Sequence, residues 1–129
     1  ELERPGEARE VLQRAIELCS ETNFSFVGRL RGSLAHILAA EGCFSEARSL
    51  LAAGEAQVQG NPRFYAEFLC DKGRVQLLDD DREQALLSLK RSRAISASFS
   101  DSNDQLPVKQ MRLEELLFPS DKPKKGGEE

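Results

Sequence analysis

The chain has 129 residues, 40% hydrophobic and 31% charged, a composition that fits one globular unit and excludes disordered and fibrous classes. Its 18 basic and 22 acidic side chains give a net charge of −4, which argues against the dense basic patch of a nucleic-acid surface. No run of about 18 apolar residues spans a bilayer and the N-terminus lacks the apolar core of a signal peptide, so the expectation is a soluble, cytoplasmic chain without a membrane partner.

Pro5 suits a first helical position, and Ala8, Val11, Leu12, Ala15, Ile16 and Cys19 follow as one apolar stripe, predicting a helix over about 5–21. Beyond the polar Glu21-Thr22-Asn23, a second stripe of Val27, Leu30, Leu34, Ile37 and Leu38 runs to Gly42, a C-terminal stop, and predicts a helix over about 25–41. Ser45 is the expected N-cap of a third helix carrying Ala47, Leu50, Leu51 and Val58. Gly60-Asn61-Pro62 ends it and starts a fourth, whose Tyr65, Phe68, Leu69 and Val75 face one way. Asp80 or Asp81 caps a fifth, bearing Ala85, Leu86, Leu89 and Ile95. A polar linker over 100–104 precedes a short sixth helix with Val108, Met111, Leu113, Leu116 and Leu117, which covers the end of the fold and stops at Pro119. Residues 119–129 mix Pro, Gly and charge and read as a disordered tail. No stretch alternates with period two, so the fold class is all-α, in a single domain over 1–118.

Cys19, Cys43 and Cys70 are odd in number and lack CxxC spacing, which reads as free buried thiols in a reducing compartment. The only Met is Met111 and the chain opens at Glu1, so the sequence reads as a segment of a longer protein.

An internal repeat carries the strongest signal. Glu7-Ala8-Arg9 with Leu12 recurs 39 residues on as Glu46-Ala47-Arg48 with Leu51, and again 38 later as Gln84-Ala85-Leu86 with Leu89. At the same offset of 38, Val27 matches Tyr65, Leu30 matches Phe68, Ala35 matches Gly73 and Ile37 matches Val75. The unit is therefore a pair of antiparallel helices. Its second helix carries small, Leu and small residues in series: Ala8, Leu12, Ala15; Ala47, Leu51, Gly54; Ala85, Leu89, Ser92. Small side chains admit close helix crossings while the Leu fills the groove between them. Gly28 and Gly32, with Arg29 and Arg31 between, suit the same close contact and not a membrane helix.

With Gly42-Cys43-Phe44-Ser45-Glu46-Ala47 as its best match, the chain over about 5–98 resembles the tetratricopeptide repeat (TPR). The offset exceeds the family's usual period of about 34 and is similar to the long-period arrays of bacterial signalling ATPases and maltose-activator-type regulators. Arg31 and Leu69 replace the family's early aromatic, and its Pro is displaced to Pro62. The resemblance implies a TPR-like α-solenoid of about two and a half helical hairpins with a short C-terminal capping helix. It further implies that first-helix residues line a concave groove: Arg29, Gly32, His36 and Ala39, then Glu67, Cys70, Arg74 and Leu77. His36 and Arg74 stand where the chaperone-tail-binding class carries its clamp Asn, so that clamp is not expected.

No phosphate loop, dinucleotide turn, HExxH or nucleophile elbow is present, and the lone His36 has no orienting partner at catalytic spacing, so no enzyme, cofactor or metal site is expected. Asp79-Asp80-Asp81 lacks the alternating ligands of a calcium loop and reads as a capped turn. The functional expectation is a non-catalytic interaction module presenting Arg29, His36, Glu67 and Arg74 to an acidic peptide or helix of a protein partner, not to nucleic acid. The alternative is a structural segment that self-associates through uncovered repeat ends, and a sensing regulatory domain is a third reading without a marker.

Overall fold

The computed structural model describes residues 5–19, 24–99 and 105–119, and within them six helices and no strand: α1 Pro5–Cys19, α2 Phe24–Ala40, α3 Phe44–Val58, α4 Pro62–Leu78, α5 Arg82–Ser96 and α6 Gln105–Leu117. The fold is all-α. The polar linker over 100–104 and the tail beyond Pro119 lie outside the described residues, as do 20–21 of the first expected helix and the side chain of Cys19.

The helix ends follow local chemistry. Pro62 opens α4 behind Asn61, whose side-chain Oδ1 accepts from the Phe64 amide at 3.1 Å, and the Asp81 side-chain Oδ1 accepts from the Gln84 amide at 3.2 Å to cap α5. α2 ends on Gly42 at φ +89°, with the Cys43 amide donating back to Leu38 O at 2.8 Å. Asp80, 38 residues on, takes the same left-handed turn at φ 64°, and the Asp81 amide donates to Gln76 O at 2.8 Å. The short polar side chain of Asp tolerates this conformation. The expected cap at Ser45 is displaced: the helix starts at Phe44 behind Cys43, which supplies no side-chain hydrogen bond. The Schellman turn holds the chain there, so the helix begins without a polar cap.

Packing rests on missing Cβ atoms. A Cβ on Gly28 of α2 would stand 2.7 Å from Gly54 O of α3, and one on Gly54 would stand 2.9 Å from Gly28 O, so two backbones touch where any side chain would hold them apart. The ring of Phe68, fully buried on α4, fills the third side: Cδ1 would lie 2.8 Å from a Cβ on Gly32 and Cε1 2.9 Å from one on Gly54. Ala47 and Ala85 are fully buried, with Leu51, Gly54, Leu89 and Ser92 beside them in the repeated series. In the next half of the molecule, Ser92 Oγ donates to Ala66 O at 2.8 Å, bridging α5 to α4. Leu106 of α6 packs on Ala66 and Cys70. Ala66, Cys70, Ser92 and Leu106 lie 38 residues after Gly28, Gly32, Gly54 and Phe68.

Two expectations for the ends are corrected. On α1 only Ile16 is buried, Leu12 and Ala15 are half-buried, and Ala8 and Val11 are exposed, because this helix's backbone approaches α2 alone among the described helices. α6 does lie across α4 and α5, but by a different face. Leu106, Gln110, Leu113 and Leu117 point inward, while Val108, Met111 and Leu116 are exposed. Gln110 is tolerated inside because its amide donates to Ser92 Oγ at 3.0 Å and Ser96 Oγ at 3.2 Å. Cys70 is buried as expected, its thiol pushed up to about 11 by burial, whereas Cys43 is only half-buried.

Replacing an exposed helical Gly by Ala stabilises by up to about 1 kcal/mol. Gly54→Ala is expected to do the opposite and cost about 1–3 kcal/mol, since its new methyl meets a carbonyl and a ring that cannot both retreat. Urea unfolding followed by circular dichroism checks this, and an unchanged or raised midpoint contradicts the crossing.

Candidate functional site

One face of α2, α4 and α6 is built from four positions per helix at i, i+4, i+7 and i+11, a single stripe of a 3.6-residue helix. Residues 38 apart stand side by side on neighbouring helices. Arg29 Nη1 of α2 reaches Glu67 Oε1 of α4 at 3.2 Å, Ser33 Oγ reaches Asp71 Oδ2 at 3.4 Å, and Lys109 Nζ of α6 reaches the same Asp71 oxygen at 3.4 Å. The stripes thus align into rows. The first is Arg29, Glu67, Gln105; the second Ser33, Asp71, Lys109; the third His36, Arg74, Arg112; the fourth Ala40, Leu78, Leu116.

The first two rows are neutralised internally. Glu67 is buried, and its charge is met by Arg29, whose guanidinium also lies 5.2 Å from the Phe26 ring centre and 5.5 Å from that of Phe64. This pair knits α2 to α4 and is not presented outward as an open binding pair. Asp71, likewise buried, is matched by Lys109.

The third row has no such balance. His36 and Arg74 are half-buried and Arg112 is exposed. Arg74 Nε is buried without a hydrogen-bond partner, and neither Arg74 nor Arg112 forms an ion pair among the described residues. Burial holds the His36 imidazole below its usual pKa of 6.5; Arg74 and Lys109 push the same way and Asp71 opposes them. Lys109 and Arg112 also line an open groove along α6 with Gln105 and Val108. The fourth row is apolar and open: Leu78 and Leu116 are each 48% exposed.

Of the residues expected to face a ligand, Arg29 and Glu67 meet each other, and His36 and Arg74 fall next to each other in the third row. Gly32, Ala39 and Cys70 belong to the core: Gly32 lies under Phe68, and the Cys70 thiol is 3.5 Å from Ser92 Oγ. Sequence reasoning passed over Arg112 and counted Leu116 in the apolar stripe of the sixth helix without placing it on this face, although adding 38 to Arg74 and Leu78 reaches both. Among the described residues no group of three His, Cys, Asp or Glu is placed to hold a metal ion, and no helix is long and apolar enough to cross a membrane. Comparison of the chain with protein-family models, curated proteins and solved structures found no match.

His36 is the single histidine, so its titration is not masked by another. Its native pKa lies below its unfolded value, so the unfolded state binds more protons as pH falls through about 6.5, and the native state loses stability there. The melting temperature of the parent is expected to drop more between about pH 7.5 and 5.5 than that of His36→Gln. Equal drops contradict the half-buried placement of His36 beside Arg74.

Proposed function

We propose that the chain is a non-catalytic protein–protein interaction module built as a TPR-like helical array. In this reading α2–α3 and α4–α5 are successive hairpins, α1 is the second helix of a preceding one, and α6 covers the end. The α2–α4–α6 face is the groove offered to a peptide or partner helix. The observation that carries the reading is the shared offset of 38 in contacts of different kinds. It recurs in the lateral bonds Arg29–Glu67, Ser33–Asp71 and Asp71–Lys109, and in the turns closed by Cys43 and Asp81. A bundle without repeats has no reason to reuse one offset. Met111, at the position of Ala35 and Gly73, is too large for the close approach those residues allow, which fits α6 as a terminal helix.

One observation favours the alternative, a structural segment that self-associates. On α1, Val11 and Leu18, seven residues apart, lie on one stripe and are 67% and 77% exposed.

The test is selection from a display library of random peptides of about 15 residues against the immobilised chain, with sedimentation velocity run in parallel. Enriched peptides that lose at least tenfold in affinity when Arg74 and Arg112 are both changed to Glu support the groove reading. No enrichment, together with concentration-dependent association that Leu18→Glu abolishes, supports the self-association reading instead.

A further inference from the structure

The third and fourth rows form two parallel lines across the three helices, one basic and one apolar. Neighbouring helices lie about 8–10 Å apart, which sets the spacing along a line; one helical turn, about 5.4 Å, separates the lines. Arg74 and Arg112 stand in the first line with His36, and Leu78 and Leu116 in the second with Ala40. Nothing within the described chain satisfies either line: Arg74 Nε has no acceptor, no carboxylate pairs with Arg74 or Arg112, and both leucines are 48% exposed.

Building on the interaction reading above, we infer that this surface takes an acidic amphipathic helix of a protein partner, laid across α2, α4 and α6. Its acidic edge meets Arg74 and Arg112, and its apolar face covers Leu78 and Leu116. The two lines decide between helix and extended peptide. An extended strand shows one surface a single file of side chains, at every second residue. A helix carries two parallel stripes a few ångströms apart, and acidic residues seven apart recur every ~10.5 Å, close to the spacing of the two arginines. Guanidinium forks select carboxylates, and the half-desolvated setting of Arg74 strengthens the pairing relative to open solvent. A single-stranded nucleic acid suits the surface less well, because the leucine line offers bases no aromatic platform and the chain as a whole carries a net charge of −4.

The probe is a synthetic helix of about 18 residues with Glu at every seventh position bordering a Leu face, labelled and titrated by fluorescence anisotropy at low and high salt. Controls carry Gln for Glu, or the same residues in scrambled order. Two changed arginines remove two partly exposed charge pairs, so Arg74→Gln with Arg112→Gln is expected to weaken binding about tenfold and flatten its salt dependence. Leu78→Ser with Leu116→Ser is expected to weaken binding about fivefold or more with the salt dependence intact. Both pairs alter exposed or half-buried side chains, and circular dichroism verifies that the helices persist. The inference is overturned if the scrambled peptide binds as well as the designed one, if the arginine pair changes affinity less than twofold, or if an oligothymidine competes more strongly than the peptide. Should these fail while the library still yields peptides bound elsewhere on the chain, the interaction reading stands and this assignment of its partner falls.

Discussion

The seat of the Phe68 ring on two glycines is the constraint on which the remaining structure depends. Gly32 on α2 and Gly54 on α3 present bare backbone to one aromatic side chain of α4, so a single ring fixes three helices against one another. Full burial of a Phe stabilises by about 1.5–3 kcal/mol, while each helical Gly costs about 1 kcal/mol in propensity. The gain is therefore partly spent on the glycines themselves, and what it secures is geometry: reciprocal contact of Gly28 and Gly54 backbones, and a fixed lateral register between α2 and α4. The second half uses Ala66, Cys70, Ser92 and Leu106 for the same places. Its larger residues are accommodated by hydrogen bonding, since the Ser92 hydroxyl donates to Ala66 O and accepts from Gln110. Because the one hydroxyl proton of Ser92 is committed to Ala66 O, the Cys70 thiol is the donor in its contact with Ser92 Oγ.

The register has an electrostatic consequence. Because residues 38 apart become neighbours, the charge on each row is set by three sequence positions that are remote along the chain. Where the row reads Arg29, Glu67, Gln105 or Ser33, Asp71, Lys109, the protein balances its own charge, although Arg29 Nε is buried without a hydrogen-bond partner, and the bonds tie α2 to α4 and α4 to α6. Where it reads His36, Arg74, Arg112, positive charge accumulates on a chain whose net charge is −4. Screening limits such a row to about 8 Å at physiological ionic strength, so it acts on groups docked against the face and not on distant encounter. The apolar row beside it extends the surface beyond simple charge pairing.

Much of this was legible in the sequence because the fold is local and periodic. The apolar stripes locate the helices, and Asn61-Pro62, Gly42 and Asp81 mark helix ends through turn and cap chemistry that tertiary contacts do not override. What failed was the choice of face where a helix has apolar residues on several sides. On α6, Met111 and Val108 looked like core, yet Leu106 and Gln110 took the inner positions, since a buried Gln becomes acceptable only when Ser92 and Ser96 are known to meet it. On α1 the stripe was real, but among the described helices only the α2 backbone approaches it closely. Gly32 and Cys70 were placed in the groove because family correspondence assigns positions on a helix, whereas the size of Phe68 and Leu106 decides which of those positions are covered.

The seat of Phe68 is tested most directly by a double-mutant cycle joining Gly32→Ala to Phe68→Ala, read as unfolding free energy in urea. A Cβ on Gly32 meets Phe68 Cδ1 at 2.8 Å and otherwise only Asp71 Cβ at 3.6 Å, so trimming the ring removes nearly all of the clash. Gly32→Ala is expected to destabilise by about 1–3 kcal/mol and Phe68→Ala by about 3–5 kcal/mol, and the pair by less than the sum, with a coupling of about 1 kcal/mol or more. Additivity within about 0.5 kcal/mol means that the ring and the glycine do not share one site, and it contradicts the packing from which the rows of the candidate face are derived.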